Sequence, residues 1–168
     1  QMIAVYSVLV AGHLCIDITP ELTDVPEMVP GQLYEIGSAR FTLGGCVANT
    51  GLPLIAAGIP ARVCSRVGND PLGEIARRLL TEQEVRLDGI VSAAGAATSY
   101  SIVLQLPGRD RTFWHHPGAN AVFKGQDVSL DGVDILHFGY PPLLPALLVD
   151  DAAPLLNLLK EARSRQIT

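Results

Sequence analysis

The run Gly44-Gly45-Cys46-Val47-Ala48-Asn49 brings together residue types that let a small molecule come close to a main chain. Adjacent glycines carry no Cβ, so nothing stands between a ligand and the backbone. The run follows a strand-like stretch over 35–43 and opens an apolar helical stretch over 48–57, which ends at Gly58-Ile59-Pro60. A helix start leaves N–H groups free, and Asn49 adds a side-chain donor and acceptor one turn in. This chemistry suits a small polyhydroxylated ligand. Asp17 offers a carboxylate with several acceptor sites, although its position alone reads equally as an Asp bracing a turn. His115 and His116 are neighbours in a predicted strand and so face opposite ways, which argues against a shared metal. His13 and His137, in or beside strands, read as structural.

Several chemistries are excluded. No GxxxxGK[ST] run is present, which removes the P-loop route to phosphoryl transfer. Gly12-His13-Leu14-Cys15-Ile16-Asp17 holds one glycine where a dinucleotide-binding oxidoreductase needs three. Cys15, Cys46 and Cys64 are odd in number and contain no CxxC pair, so neither a disulfide framework nor a structural zinc site is expected. They read as small buried hydrophobes in a reducing compartment. The net charge of −5, with only two lysines, leaves no basic stripe for nucleic acid or an anionic membrane. The apolar stretch over 3–11 is too short to span a bilayer and lacks the flanks of a signal peptide. A cytoplasmic location is expected.

The elements that must position these residues emerge from periodicity. With 48% hydrophobic residues, the 168-residue chain can bury a substantial core. Residues 3–11 form a near-continuous β-branched and aliphatic run, as in a strand buried on both faces of a parallel sheet. An irregular, Pro-rich and acidic segment occupies 19–31. Residues 61–67 read as the next strand. Asp70 as N-cap and Pro71 at the first helical position open a helix over 72–83, with Leu72, Ile75, Ala76, Leu79 and Leu80 on one face and Arg77 and Arg78 pointing outward. Strands at 98–106 and 111–116 flank the turn Pro107-Gly108-Arg109-Asp110. Residues 134–139 make another buried strand, with helical sequence to Arg163 and the entry to a further strand at 165–168. Alternating strands and helices imply right-handed βαβ units.

These pieces together resemble the ribokinase-like (PfkB) family of sugar and nucleoside kinases. The resemblance covers nearly the whole chain, in order. It includes the first strand ending in Gly12 with Asp17 beyond it, then Gly44-Gly45-x-x-x-Asn49, then Gly58 and Gly68. Val67-Gly68-Asn69-Asp70-x-x-Gly73 resembles the family's VGxDxxG run. Arg109-Asp110-Arg111-Thr112-Phe113 and Pro117-Gly118-Ala119-Asn120-Ala121 resemble its hairpin and GAN segment. The resemblance implies a three-layer α/β/α sandwich, with residues 1–168 as the N-terminal part of one domain. A small β-sheet lid is inserted near 33–43 and 98–116, through which a homodimer could form. It implies transfer of the ATP γ-phosphoryl group, with magnesium, to a hydroxymethyl group of a sugar or nucleoside.

On this resemblance the substrate-binding residues are Asp17, Gly44, Gly45 and Asn49, with Asn120, Arg111 and Tyr140 as further candidates. Asp17 would accept hydrogen bonds from two sugar hydroxyls. Asn120 reads as a ligand contact or as an Asn tolerating a left-handed turn. Arg109 and Arg111 read as ligand contacts or as a solvated hairpin tip. Tyr140 stands where some family members place a polar or acidic sugar contact. The family's base and phosphate cradle lie in a Gly-Ala-Gly-Asp run, and Ala94-Gly95-Ala96-Ala97 does not match it. No catalytic, ATP-binding or metal-ligating residue is therefore expected in this chain. With Gln1 ahead of Met2 and Thr168 inside an expected strand, we expect a truncated domain, inactive by itself as a kinase. A non-catalytic sugar-binding or interaction module of the same fold is the alternative.

Overall fold

The first apolar run is buried on both faces, as its composition requires. Val8 and Val10 enter one core with Val63, Val67, Ala76 and Leu80, while Leu9 and Ala11 enter a second with Phe123, Leu144, Leu147 and Leu158. The structure, a computed structural model, describes residues 7–24 and 27–168; residues 3–6 of the predicted first strand lie outside the described residues. The chain runs through β1 (Val8–Gly12), β2 (Cys15–Pro20), β3 (Ala39–Gly44), a π-helical turn (Val47–Gly51), α1 (Leu52–Ala56), β4 (Ala61–Gly68), α2 (Pro71–Glu82) and β5 (Ile90–Ala93). Then come β6 (Tyr100–Leu104), β7 (Thr112–His116), β8 (Ile135–Gly139) and α3 (Val149–Ser164), with short 3-10 turns between β7 and α3.

β1, β4, β5 and β8 form a parallel sheet in the order β5-β4-β1-β8. The helical elements α1 and α2 border the first core, and α3 and the 3-10 turns the second, giving the expected three layers. A second sheet, ordered β3-β2-β6-β7, stands off the first. Its outer pairs are antiparallel and its central pair, β2 with β6, is parallel. This is the lid. Its membership differs from the expectation: β2 supplies a central strand where the sequence predicts only a loop from Thr19 onward. A signal is nonetheless present, since Ile16 and Ile18 alternate with Cys15, Asp17 and Thr19.

Other differences have local causes. The predicted strand over 33–43 narrows to β3, although main-chain hydrogen bonds continue one step past Pro20, from Glu21 N to Ser38 O and from Gly37 N to Glu21 O. The predicted helix over 48–57 splits into the π-helical turn and α1, for Pro53 cannot donate to a carbonyl one turn back. β5, only four residues long, is too short to stand out in the sequence. The helical stretch after β8 is interrupted by 3-10 turns starting at Pro141 and Pro145, and Asp150, Asp151 and Ala152 take left-handed backbone before the regular part of α3. Thr168 joins the free edge of β8: its N–H donates to Asp134 O at 3.0 Å, and its carbonyl accepts from Leu136 N at 2.8 Å. Arg78 points outward as expected, whereas Arg77 folds back to donate to Ile90 O and Ser92 Oγ on β5.

An ion pair and a capping carboxylate tie the layers together. Arg66 on β4 donates to both carboxylate oxygens of Asp127 at 2.7 Å, and Asp127 also accepts the Lys124 N–H. Their side chains are 19% and 7% exposed, so the pair is largely desolvated. Just past the end of β4, Asp70 caps α2 by accepting from Gly73 N and also accepts from Thr98 N and Oγ1, which fixes the approach to β6. Burial would raise the Asp70 carboxyl, but these hydrogen bonds outweigh it and hold the group below the ordinary carboxylate range. Removing one partner of a buried pair strands the other, so Arg66→Met should lower unfolding free energy by about 3 kcal/mol. Urea denaturation should show much of that loss recovered in Arg66→Met/Asp127→Leu; equal loss in both variants would contradict this account of the pair.

Candidate functional site

Only His13 and Leu14 separate the central strand β1 from the lid strand β2. Asn120 clamps this joint. Its Oδ1 accepts from Leu14 N at 3.3 Å and its Nδ2 donates to Leu14 O at 2.8 Å, with the side chain fully buried. The amide is thus occupied by the main chain, and it positions the neighbours of Leu14.

Strand register then assembles a polar row on one face of the lid. Asp17 lies beside Thr42 on β3 and Ser101 on β6, and Ser101 lies beside His115 on β7. Positions paired side by side share a face. Cys15 Sγ donates to Asp17 Oδ1 at 3.3 Å, and Ser101 Oγ shares a hydrogen bond with His115 Nδ1 at 3.0 Å. The opposite face carries Ile18, Phe41, Ile102 and Trp114, of which Phe41 and Trp114 are exposed. His115 and His116 do face opposite ways, as the strand period demands, but His115 thereby joins the polar row.

The glycine pair closes the site from below. A Cβ on Gly44 would sit 2.5 Å from Asp17 Oδ2. Gly45 has φ +87°, and a Cβ there would strike the His13 carbonyl and lie 2.6 Å from His13 Nδ1. The room vacated by the two missing side chains is therefore filled by the chain's own Asp17 and His13. Asn49 is exposed in the π-helical turn just beyond, its N–H bonded to Gly45 O. One turn thus gathers Asp17, Gly44, Gly45 and Asn49, with His13 as an unforeseen fifth member.

His13 is 3% exposed, and neither ring nitrogen has a hydrogen-bond partner. Its ring lies between His115 at 5.3 Å and Tyr140 at 5.9 Å, centroid to centroid. Burial first, and His115 second, push the His13 imidazole down to about 4. Burial also lowers His115, against the pull of Asp17. Tyr140, in left-handed backbone with φ +57°, is half-exposed directly after β8. It is brought to the site through His13. Arg111 is not: it precedes β7 at the far end of the lid, about 13 Å along the strand from the Asp17 row, with its guanidinium over Phe113. Nothing in the sequence marks His13 except its place between Gly12 and the lid strand.

The three cysteines are buried and unpaired, as expected. Burial raises all three thiols, Cys46 to about 11, so they are poor nucleophiles. Among the described residues there is no group of three His, Cys, Asp or Glu side chains placed to hold a metal ion between them. Nor is any helix among them long and apolar enough to cross a membrane.

A family model, pfkB family carbohydrate kinase, matches residues 6–166. An ATP-dependent ribose-1-phosphate kinase of Halopiger xanaduensis is 37% identical over 98 residues, covering 57% of this chain and 32% of that protein. Among solved structures, ribokinase from Giardia lamblia superposes with a TM-score of 0.71 at 18% identity, over 96% of this chain and 52% of the other. Nucleoside kinase from Methanocaldococcus jannaschii gives 0.66 at 20% identity, over 83% and 47%. These two likenesses show the fold. The chain spans between 32% and 40% of the length of the curated relatives it matches.

The glycine contacts separate folding from binding. Gly45→Ala places a Cβ at positive φ against backbone and should cost about 2–3 kcal/mol in urea denaturation. Gly44→Ala meets only a movable carboxylate and should cost about 1 kcal/mol or less, while displacing Asp17. The reverse order of stabilities would contradict the geometry.

His13 gives a pH signature. Its imidazole titrates near 4 when folded and near 6.5 when free. Between those values the unfolded chain takes up a proton that the folded chain refuses. Stability is thus fully present above about pH 6.5 and is lost towards pH 4, by about 3 kcal/mol for this group. The unfolding free energy of the native chain relative to His13→Phe should fall by that order from pH 7 to pH 4. A constant difference would show that the ring is not held neutral.

Proposed function

The chain belongs to the pfkB family of carbohydrate kinases, and from that premise we propose that it forms the sugar-binding side and lid of an ATP-dependent kinase acting on a sugar or nucleoside hydroxymethyl group. The observation that carries this reading is Asp17. Its carboxylate lies against Gly44 at the base of a four-stranded lid, level with Ser101 and His115. A carboxylate with several acceptor sites suits two adjacent sugar hydroxyls, and the spacing of a vicinal diol matches its two oxygens. Asn49, exposed in the turn that follows Gly45, adds a neutral amide to this reading. Tyr140 borders the site through His13.

The lid's part is to cover the sugar and exclude water that would otherwise take the phosphoryl group. Phosphoryl transfer also needs a positioning carboxylate or base and a cradle for the phosphates. The sequence holds neither a P-loop nor a Gly-Ala-Gly-Asp run, so no step of the transfer is assigned to this chain. These 168 residues by themselves therefore bind sugar without turning over ATP. The exposed Phe41 and Trp114 on the lid's outer face, with the free edges of β3 and β7, suit pairing with a second lid.

Asp17→Asn should weaken the binding of a sugar or nucleoside that the native chain takes up by about 100-fold, read by isothermal calorimetry, because each hydrogen bond to a charged group contributes about 1.5–3 kcal/mol. With ATP and magnesium added, no phosphorylated sugar should form. Undiminished affinity in Asp17→Asn would remove the basis of the sugar site, and turnover by these residues would overturn the assignment of chemistry elsewhere.

A further inference from the structure

The least explained group in the molecule is His13. A neutral imidazole always carries one donor and one acceptor nitrogen. In His13 both are buried and unpartnered, an arrangement that ordinarily costs about 1–3 kcal/mol per group. Native interiors rarely leave such groups idle, and those that do tend to have a functional reason. Asn120, buried to the same degree nearby, has its amide bonded on both sides.

The neighbours of His13 belong to the candidate site. The ring packs on the bare Cα of Gly45, under the turn that also holds Asp17 and Asn49. Of its two ring neighbours, His115 is carried on the lid and Tyr140 follows β8, and both are exposed residues. A ligand would reach the imidazole by displacing one of these two rings, since Asn120 holds the β1–β2 joint itself in place. Tyr140 reaches its place only by adopting left-handed backbone, a conformation that a bulky residue takes at an energetic cost and one often met at binding sites.

Resting on the sugar-site reading above, we propose that His13 is a specificity-determining residue whose imidazole hydrogen-bonds a hydroxyl of the substrate held by Asp17, with Tyr140 as the adjoining wall. A hydroxyl can answer either ring nitrogen, since it donates and accepts. The class of ligand is therefore an uncharged polyol or ribosyl group that presents a hydroxyl beyond the pair bound by Asp17. An anionic group at this position would meet the carboxylate of Asp17 on one side and an uncharged ring on the other.

The test uses this chain with D-ribose, D-fructose and adenosine as probes. Calorimetry on the native chain, Asp17→Asn, His13→Phe and His13→Asn should show binding of at least one probe. His13→Phe, which keeps a ring and removes both nitrogens, should weaken that probe about tenfold or more, and His13→Asn should restore part of the loss. In the native chain, saturating probe should also shift the His13 ring nitrogens in 15N NMR, a readout that holds even if a variant folds poorly. Loss of binding in Asp17→Asn with unchanged affinity in His13→Phe, or with unmoved ring nitrogens, would overturn the role of His13 alone. No binding of any probe by the native chain would overturn the sugar-site reading and this inference with it.

Discussion

Two missing Cβ atoms hold this site together. Where β3 turns into the π-helical segment, Gly44 lies under the Asp17 carboxylate and Gly45 under the His13 ring and carbonyl. The lid and the sandwich meet at this turn, so its closeness sets how near the polar row can come to the sheet. A side chain at Gly45 would force apart the β1–β2 joint and the helix start together. The same economy recurs next door. A Cβ on Gly12 would approach Gly139 O to 2.5 Å, and one on Gly139 would collide with Cys46. The floor of the site is a stack of main chains, with side chains admitted only where they act.

The sandwich is legible in the sequence, for β1, β4, α2 and β8 each announce themselves by an apolar run or a helical apolar period, although β8 is only partly buried in the structure. So is the glycine signature, although its meaning shifts. Paired glycines read as clearance for an approaching molecule, and the structure shows that clearance taken up by Asp17 and His13. Sequence reasoning cannot see this because the contacts span 27 to 32 residues and depend on the register of β2 with β3. The end of β2 reads as loop because acid and proline dominate residues 19–31. His13 escapes notice because a lone histidine beside a strand carries no signal of whether its nitrogens find partners.

The lid is two-faced in a way that period 2 makes unavoidable. Cys15, Asp17, Ser101 and His115 take one side, and Ile18, Phe41, Ile102 and Trp114 the other. A slip of one residue in any pairing would exchange the two sets. Register is therefore a functional property here. The antiparallel pairs flanking a parallel centre fix it, since β2 and β6 arrive from different places in the chain, each already tethered, one by Asn120 and the other by Thr98 on Asp70.

The shortness of the β1–β2 joint makes the lid something other than an attachment. An inserted flap with long connections could be trimmed, exchanged or lost while its host kept folding. Here one lid strand is the prolongation of the innermost strand of the sheet, with Leu14 pinned on both its backbone groups. Change in such a lid is confined to its periphery, to β3, to the β6–β7 tip and to the loops beyond Pro20. The segment from Gly12 to Asp17 is bound to the history of the core, and the ligands this scaffold can adopt are limited to what its outer strands can rearrange around that unchanging stem.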